Sequence, residues 1–136
     1  MKYKFLKHTA DLKFQAFGKT KEEMFTNSFL ALRSVIKSNL AKPEVEKKIK
    51  IKGRDFENLM YKFLEEVLFL LDSEGFLANK ISEIKLDNKN NTITAKLSGQ
   101  FIEGCKIFND IKAVTYSEMK ISKVKGIWTA QVVLDV

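Results

Sequence analysis

Histidine, cysteine and proline each occur once in this sequence, arginine twice and glycine six times. The lone Cys105 excludes an internal disulfide framework and any multi-cysteine metal site. One proline and few glycines argue against long linkers and low-complexity tails. No apolar run approaches the ~20 residues a membrane span needs; the longest, Val67 to Leu71, suits a buried helix turn. At the N-terminus, Lys2, Lys4 and Lys7 interleave with Tyr3, Phe5 and Leu6, so no signal-peptide core is expected. No phosphate-binding glycine loop, dinucleotide fingerprint, HExxH or CxxC is present. The only imidazole, His8, lacks an obvious nucleophile and orienting partner, which disfavours triad chemistry. An independent enzyme is therefore the minority reading.

What remains is a chain of 136 residues, 45% hydrophobic and 30% charged, which suits one domain spanning 1–136 with a real core. Twenty-four Lys and Arg against 17 Asp and Glu leave a formal charge of +7. Such a balance favours polyanions such as RNA, or an acidic protein surface. With only Arg33 and Arg54 there is no arginine-rich recognition stripe, and a solvated lysine surface is the plainer account.

Alternation predicts strands over Tyr3–His8 and Leu12–Phe17, the second with Leu12, Phe14 and Ala16 on one face. Thr20 stands three residues before Glu23, the capping-box spacing, and opens a helix whose stripe runs through Phe25, Phe29, Leu32 and Ile36. Ser38-Asn39 and Lys42-Pro43 end it. Val45–Lys52 reads as a strand with one wet face. Asp55 caps a second helix that carries Phe56, Phe63, Val67 and Leu70 and closes at Gly75. Phe69 falls toward that helix's polar face, where a neighbouring loop is expected to cover it. Ile81–Leu86 and Thr92–Leu97 form a hairpin, Ala113–Val124 and Ile127–Leu134 another. Gly99–Asp110, with Cys105, has no clear period and reads as a surface loop. These elements predict an α+β fold of about six to seven mostly antiparallel strands packed with two α-helices.

Three features carry chemistry. Asp11 heads one strand and Asp135 ends another, and strand-end carboxylates converge when the strands are neighbours. With the C-terminal carboxylate on Val136 they would offer oxygen ligands suited to Mg²⁺ or Ca²⁺; solvated strand ends are the commoner outcome. Lys112, just before a strand, would reach a phosphate or a partner carboxylate. Asp72 and Glu74 put negative charge at a helix C-terminus, which calls for a cation nearby or for solvent screening.

In order along the chain, His8-Thr9-Ala10-Asp11, Gly18-Lys19-Thr20 with Glu22-Glu23, Glu74-Gly75-Phe76, Lys112-Ala113-Val114-Thr115-Tyr116 and Val132-Val133-Leu134-Asp135-Val136 resemble the archease family. The resemblance covers essentially the whole length. It implies a non-catalytic activator of an RtcB-type RNA ligase in tRNA splicing and RNA repair, promoting guanylylation of the ligase and multiple turnover. It further implies a divalent metal ion, calcium or magnesium, held by Asp11, Asp135 and Val136, with Lys112 in the same cluster. His8, beside them, is expected to orient the Thr9-Ala10-Asp11 turn by hydrogen bonding. The expected protein is a cytoplasmic monomer that meets RNA through the ligase. The competing readings are a stand-alone basic RNA-binding or chaperone-like module and a small phosphate-transferring enzyme.

Overall fold

The structure, a computed structural model, describes residues 1–7, 11–38, 44–102 and 107–136. Its elements run β1 (Tyr3–Leu6), β2 (Leu12–Gly18), α1 (Lys21–Val35), β3 (Lys37–Ser38), β4 (Val45–Lys52), α2 (Phe56–Glu74), β5 (Phe76–Asp87), β6 (Thr92–Phe101), β7 (Ile107–Phe108), β8 (Ala113–Val124) and β9 (Ile127–Asp135). Among the described residues every strand pairing is antiparallel. One sheet has the order β1-β2-β9-β8, a second β4-β6-β5, and β3 pairs with β7 in a two-residue ladder. The fold is the α+β arrangement the periodicities predict.

The helices start where the chemistry dictates. Thr20 accepts the Glu23 N–H at 3.1 Å, and Glu23 reaches back to the Lys19 N–H at 3.3 Å instead of that of Thr20. Asp55 accepts the Asn58 N–H at 2.7 Å. Gly75, at φ 67°, ends α2 by donating to the carbonyls of Leu70 and Leu71, in a conformation that costs a β-carbon dearly. The first helix stops at Val35, short of the expected Ser38, because Ile36 turns extended and feeds β3. Arg33 makes that exit possible: its guanidinium bonds the Ile36 carbonyl and the Asn79 side chain on β5. A cation at this end also opposes the negative pole of the helix.

Both helices lie against the sheets, and the core fills the space between. Phe14 and Ala16 of β2, Phe25 and Phe29 of α1, Phe63 and Leu64 of α2, and Ile93 of β6 are fully buried. Phe25 meets Phe63 edge to face with ring centres 5.9 Å apart, so the two helices contact through their aromatic stripes. Such a pair adds about 0.5–1.5 kcal/mol beyond the area it buries.

Three expectations need correction. The strand expected at Ile81–Leu86 starts at Phe76, and its partner continues to Phe101. Phe76, Leu77 and Ala78 are all buried, as are Leu97 to Gln100, so these segments are covered on both faces and lose the period of two. Close approach requires Gly99: a β-carbon there would lie 2.1 Å from the Leu77 carbonyl oxygen. The expected loop Gly99–Asp110 therefore contains the end of β6 and all of β7; Cys105 lies outside the described residues. Finally, Phe69 is 56% exposed instead of covered.

Candidate metal centre and the groove beside it

The register of the four-stranded sheet decides which chemistry-bearing residues meet. β2 pairs with β9 so that Leu12 faces Leu134, and β8 pairs with β9 so that Ala113 faces Asp135. Asp11 immediately precedes Leu12 and Asp135 immediately follows Leu134, so both lie one residue beyond the Leu12–Leu134 pairing. At the same edge the Lys112 N–H donates to the Asp135 carbonyl at 2.7 Å. Asp11, Asp135, Val136 and Lys112 thus share one end of one sheet, though they span nearly the whole sequence.

Alternation assigns the faces. Phe14, Ala16, Val132 and Leu134 point into the core, so Asp135 belongs to the opposite face, with Lys13, Gln15 and Gln131, and Asp11 stands in the bend that leads into β2. Both carboxylate residues are half-buried. Val136 packs against the core, which anchors its main-chain oxygens one residue from Asp135. Asp11 also takes part in an interaction of its own. His8, expected to orient this turn, lies outside the described residues, as do Thr9 and Ala10.

Sequence reading overlooked Glu118. The β8–β9 ladder is irregular between Thr115 and Lys120, and Glu118 sits there at φ 54°. The distortion turns its carboxylate toward β2, where it pairs with Lys13 at 3.1 Å, while Gln131 donates to its carbonyl at 2.9 Å. Bulges commonly re-aim side chains in this way beside functional sites. The one signal available was the break in alternation across Tyr116, Ser117 and Glu118.

Lys112 divides its roles. Its backbone closes the carboxylate edge, whereas the residue also lines a groove of about 610 Å³ between β4 and α2, with Lys50, Lys62, Glu65, Phe69 and Asp72. Tyr61 forms part of that groove and stacks on Tyr116 at 4.2 Å and 15°. Asn58, buried beneath them, donates to the Tyr116 hydroxyl. Partial desolvation, and then the Glu65 carboxylate, push the Tyr61 phenol above its ordinary value. The acidic end of α2 has its cation: Lys47 of β4 pairs with Glu74.

The donor set suits a hard divalent ion, being two carboxylates and main-chain oxygens. It is incomplete as a closed cage, since no three His, Cys, Asp or Glu side chains cluster among the described residues. An ion held here would keep several positions for water or for oxygens brought by a partner.

Comparison with known proteins agrees with this architecture. A profile described as the archease protein family (MTH1598/TM1083) matches residues 3–136. The chain belongs to the archease family. Protein archease of Methanosarcina barkeri is 37% identical over 139 residues, covering 98% of this chain and 95% of the relative. Protein archease of Pyrococcus furiosus is 38% identical, covering 95% and 94%. Among solved structures, protein 1598 of Methanobacterium thermoautotrophicum superposes with a TM-score of 0.79 at 32% identity, covering 99% of both chains. An archease from Thermotoga maritima, described as a possible chaperone, shares the fold at a TM-score of 0.68 and 21% identity, covering 96% of this chain and 94% of its own. No helix among the described residues is long and apolar enough to cross a membrane.

Proposed function

We propose that this archease is a cytoplasmic protein cofactor that activates an RtcB-type RNA ligase in tRNA splicing and RNA repair. It is not itself the catalyst: its carboxylate edge acts at the ligase's nucleotide site during guanylylation and so permits multiple turnover. The observation that carries this reading is the shared register of β2, β8 and β9, which gathers Asp11, Asp135 and the Val136 main chain at one sheet end. Asp11 and Asp135 would hold a calcium or magnesium ion there with oxygens of Val136. Bound at that edge, such an ion neutralises phosphate charge during nucleotidyl transfer.

The protein's own residues do the positioning. The pairing of β2 with β9 would bring the carboxylates of Asp11 and Asp135 close together, and the Lys112–Asp135 backbone bond keeps the edge from fraying. Because the donors fall short of the six to eight oxygens calcium takes, the edge leaves room for phosphate oxygens of a nucleotide. Lys112 stands next to that position and adds a positive charge toward the groove. The ligase would then approach a monomer at this sheet end, bringing its RNA with it.

The test is guanylylation of the cognate ligase with GTP and a divalent ion, using wild-type, Asp11→Asn and Asp135→Asn protein. Loss of stimulation is expected from both variants, with circular dichroism unchanged. Full stimulation by both would sink the proposal, and nucleotide turnover without any ligase would make the protein an enzyme instead.

A further inference from the structure

The outward face of the β4-β6-β5 sheet concentrates positive charge in a way that folding does not require. Period two sends Ile49 and Ile51 inward and Lys48, Lys50 and Lys52 outward along β4. Register then sets Lys48 directly across from Lys96 on β6, and Lys50 and Lys85 on either side of Thr94. Directly opposed like charges destabilise a sheet. Glu83 on β5 faces Lys96 from the side away from Lys48 and is already shared by Lys85 at 3.5 Å and Lys96 at 3.4 Å. Asp87 is engaged by its own turn, accepting from Asn90 and Lys89. Lys48, Lys50 and Lys52 are exposed and make no direct ion pair among the described residues, although the Lys50 charge helps hold Asp87 ionised and Lys50 and Lys52 also border the groove beside α2. A depression of about 250 Å³ lies on this face, lined by Lys48, Lys85, Lys96, Thr94 and Glu83.

We propose that this lysine face is a binding surface for the sugar-phosphate backbone of single-stranded RNA. Alternate residues of a strand stand about 7 Å apart, so Lys48, Lys50 and Lys52 form a row of point charges comparable to successive phosphates along an extended strand. The depression at Lys48, Lys85 and Lys96 takes one phosphate, with the Thr94 hydroxyl as a neutral donor. Lysine supplies charge without the planar fork that reads bases, so the recognition is independent of sequence. An acidic protein partner fits less well, because a protein interface needs an apolar centre. Glu46, Lys48, Lys50 and Lys52 alternate on this face of β4 with no large exposed hydrophobic residue between them. Lysines on the edge strands β4 and β5 also discourage edge-to-edge pairing, but that purpose does not account for Lys96 on the inner strand β6.

The consequence is that the protein contacts RNA by itself, beyond any contact made through a ligase. Binding of a fluorescein-labelled oligouridylate to the purified protein, followed by anisotropy across a salt series, tests this without the ligase. Its outcome is therefore separate from that of the guanylylation assay. Replacing Lys48, Lys50 and Lys52 together by Gln should flatten the log–log salt slope by about 2, given roughly 0.7 per phosphate on a single strand. The matched variant with Lys120, Lys123 and Lys125 replaced by Gln, on the β8–β9 hairpin, should keep the wild-type slope. Lys48→Glu should melt higher than wild type, by pairing with Lys96, while binding RNA more weakly. Equal weakening by the two triple variants would overturn the proposal. So would displacement of the RNA by polyglutamate at equal charge, which would mark the face as a site for acidic protein.

Discussion

The backbone N–H of Lys112 donates to the carbonyl oxygen of Asp135 at 2.7 Å, one step beyond the Ala113–Asp135 pairing. The bond extends the β8–β9 ladder to the edge where the carboxylates lie and involves neither side chain. Lys112→Ala should therefore leave stability unchanged, whereas Lys112→Pro removes the donor and should cost about 1 kcal/mol. Denaturant unfolding would measure the difference. Amide exchange should show the C-terminal end of β9 opening in the proline variant alone.

A divalent ion bound only by the folded state raises stability by mass action, by about 2.7 kcal/mol at a hundredfold excess over its dissociation constant. Wild-type protein should melt higher with calcium or magnesium and return to its starting value with a chelator. Asp11→Asn and Asp135→Asn should show no such response. Thermal melts with and without the ion check this independently of any ligase.

Burial predicts opposite results for two phenylalanines of the same helix. Phe63 is fully buried against Phe25, so Phe63→Ala should destabilise by about 3–5 kcal/mol. Phe69, 56% exposed, should tolerate Ser within about 0.5 kcal/mol. Paired urea titrations would show both effects at once.

Asp87 anchors the turn between β5 and β6. The Asn90 side chain, then the Asn90 backbone N–H, hold its carboxyl below the ordinary value of 3.8. A carboxyl lowered in the folded state contributes stability that is present above its unfolded value and lost as pH falls through the folded one. Acid titration followed by carboxyl NMR should place Asp87 below 3.8. In Asp87→Ala protein the corresponding acid-side loss of stability should disappear.

Much of the fold was legible because local chemistry specified it. Thr20, Asp55 and Gly75 mark helix ends by hydrogen bonds and backbone conformation that depend on a few neighbouring residues. Amphipathic strands such as Leu12–Gly18 show their buried face by alternation. Fully covered segments do not. Phe76–Ala78 and Leu97–Gln100 carry no period because both faces are dry, so the long β5–β6 ladder was read too short. Phe69 failed in the opposite sense, since a polar helix face says nothing about whether a loop returns to cover it.

The sequence by itself determined that Asp11 heads a strand, that Asp135 ends one and that Lys112 precedes another. With the ordered motifs it also determined the family. Only the tertiary structure decided that these three strands are neighbours at one sheet end, because strand order and register are set by long-range hydrogen bonding and burial. The same long-range pairing decided that Glu118 turns toward Lys13 and that Lys48 opposes Lys96. A charge count of +7 records how many lysines there are. Which of them stand together is fixed by the pleat and by the partner strand.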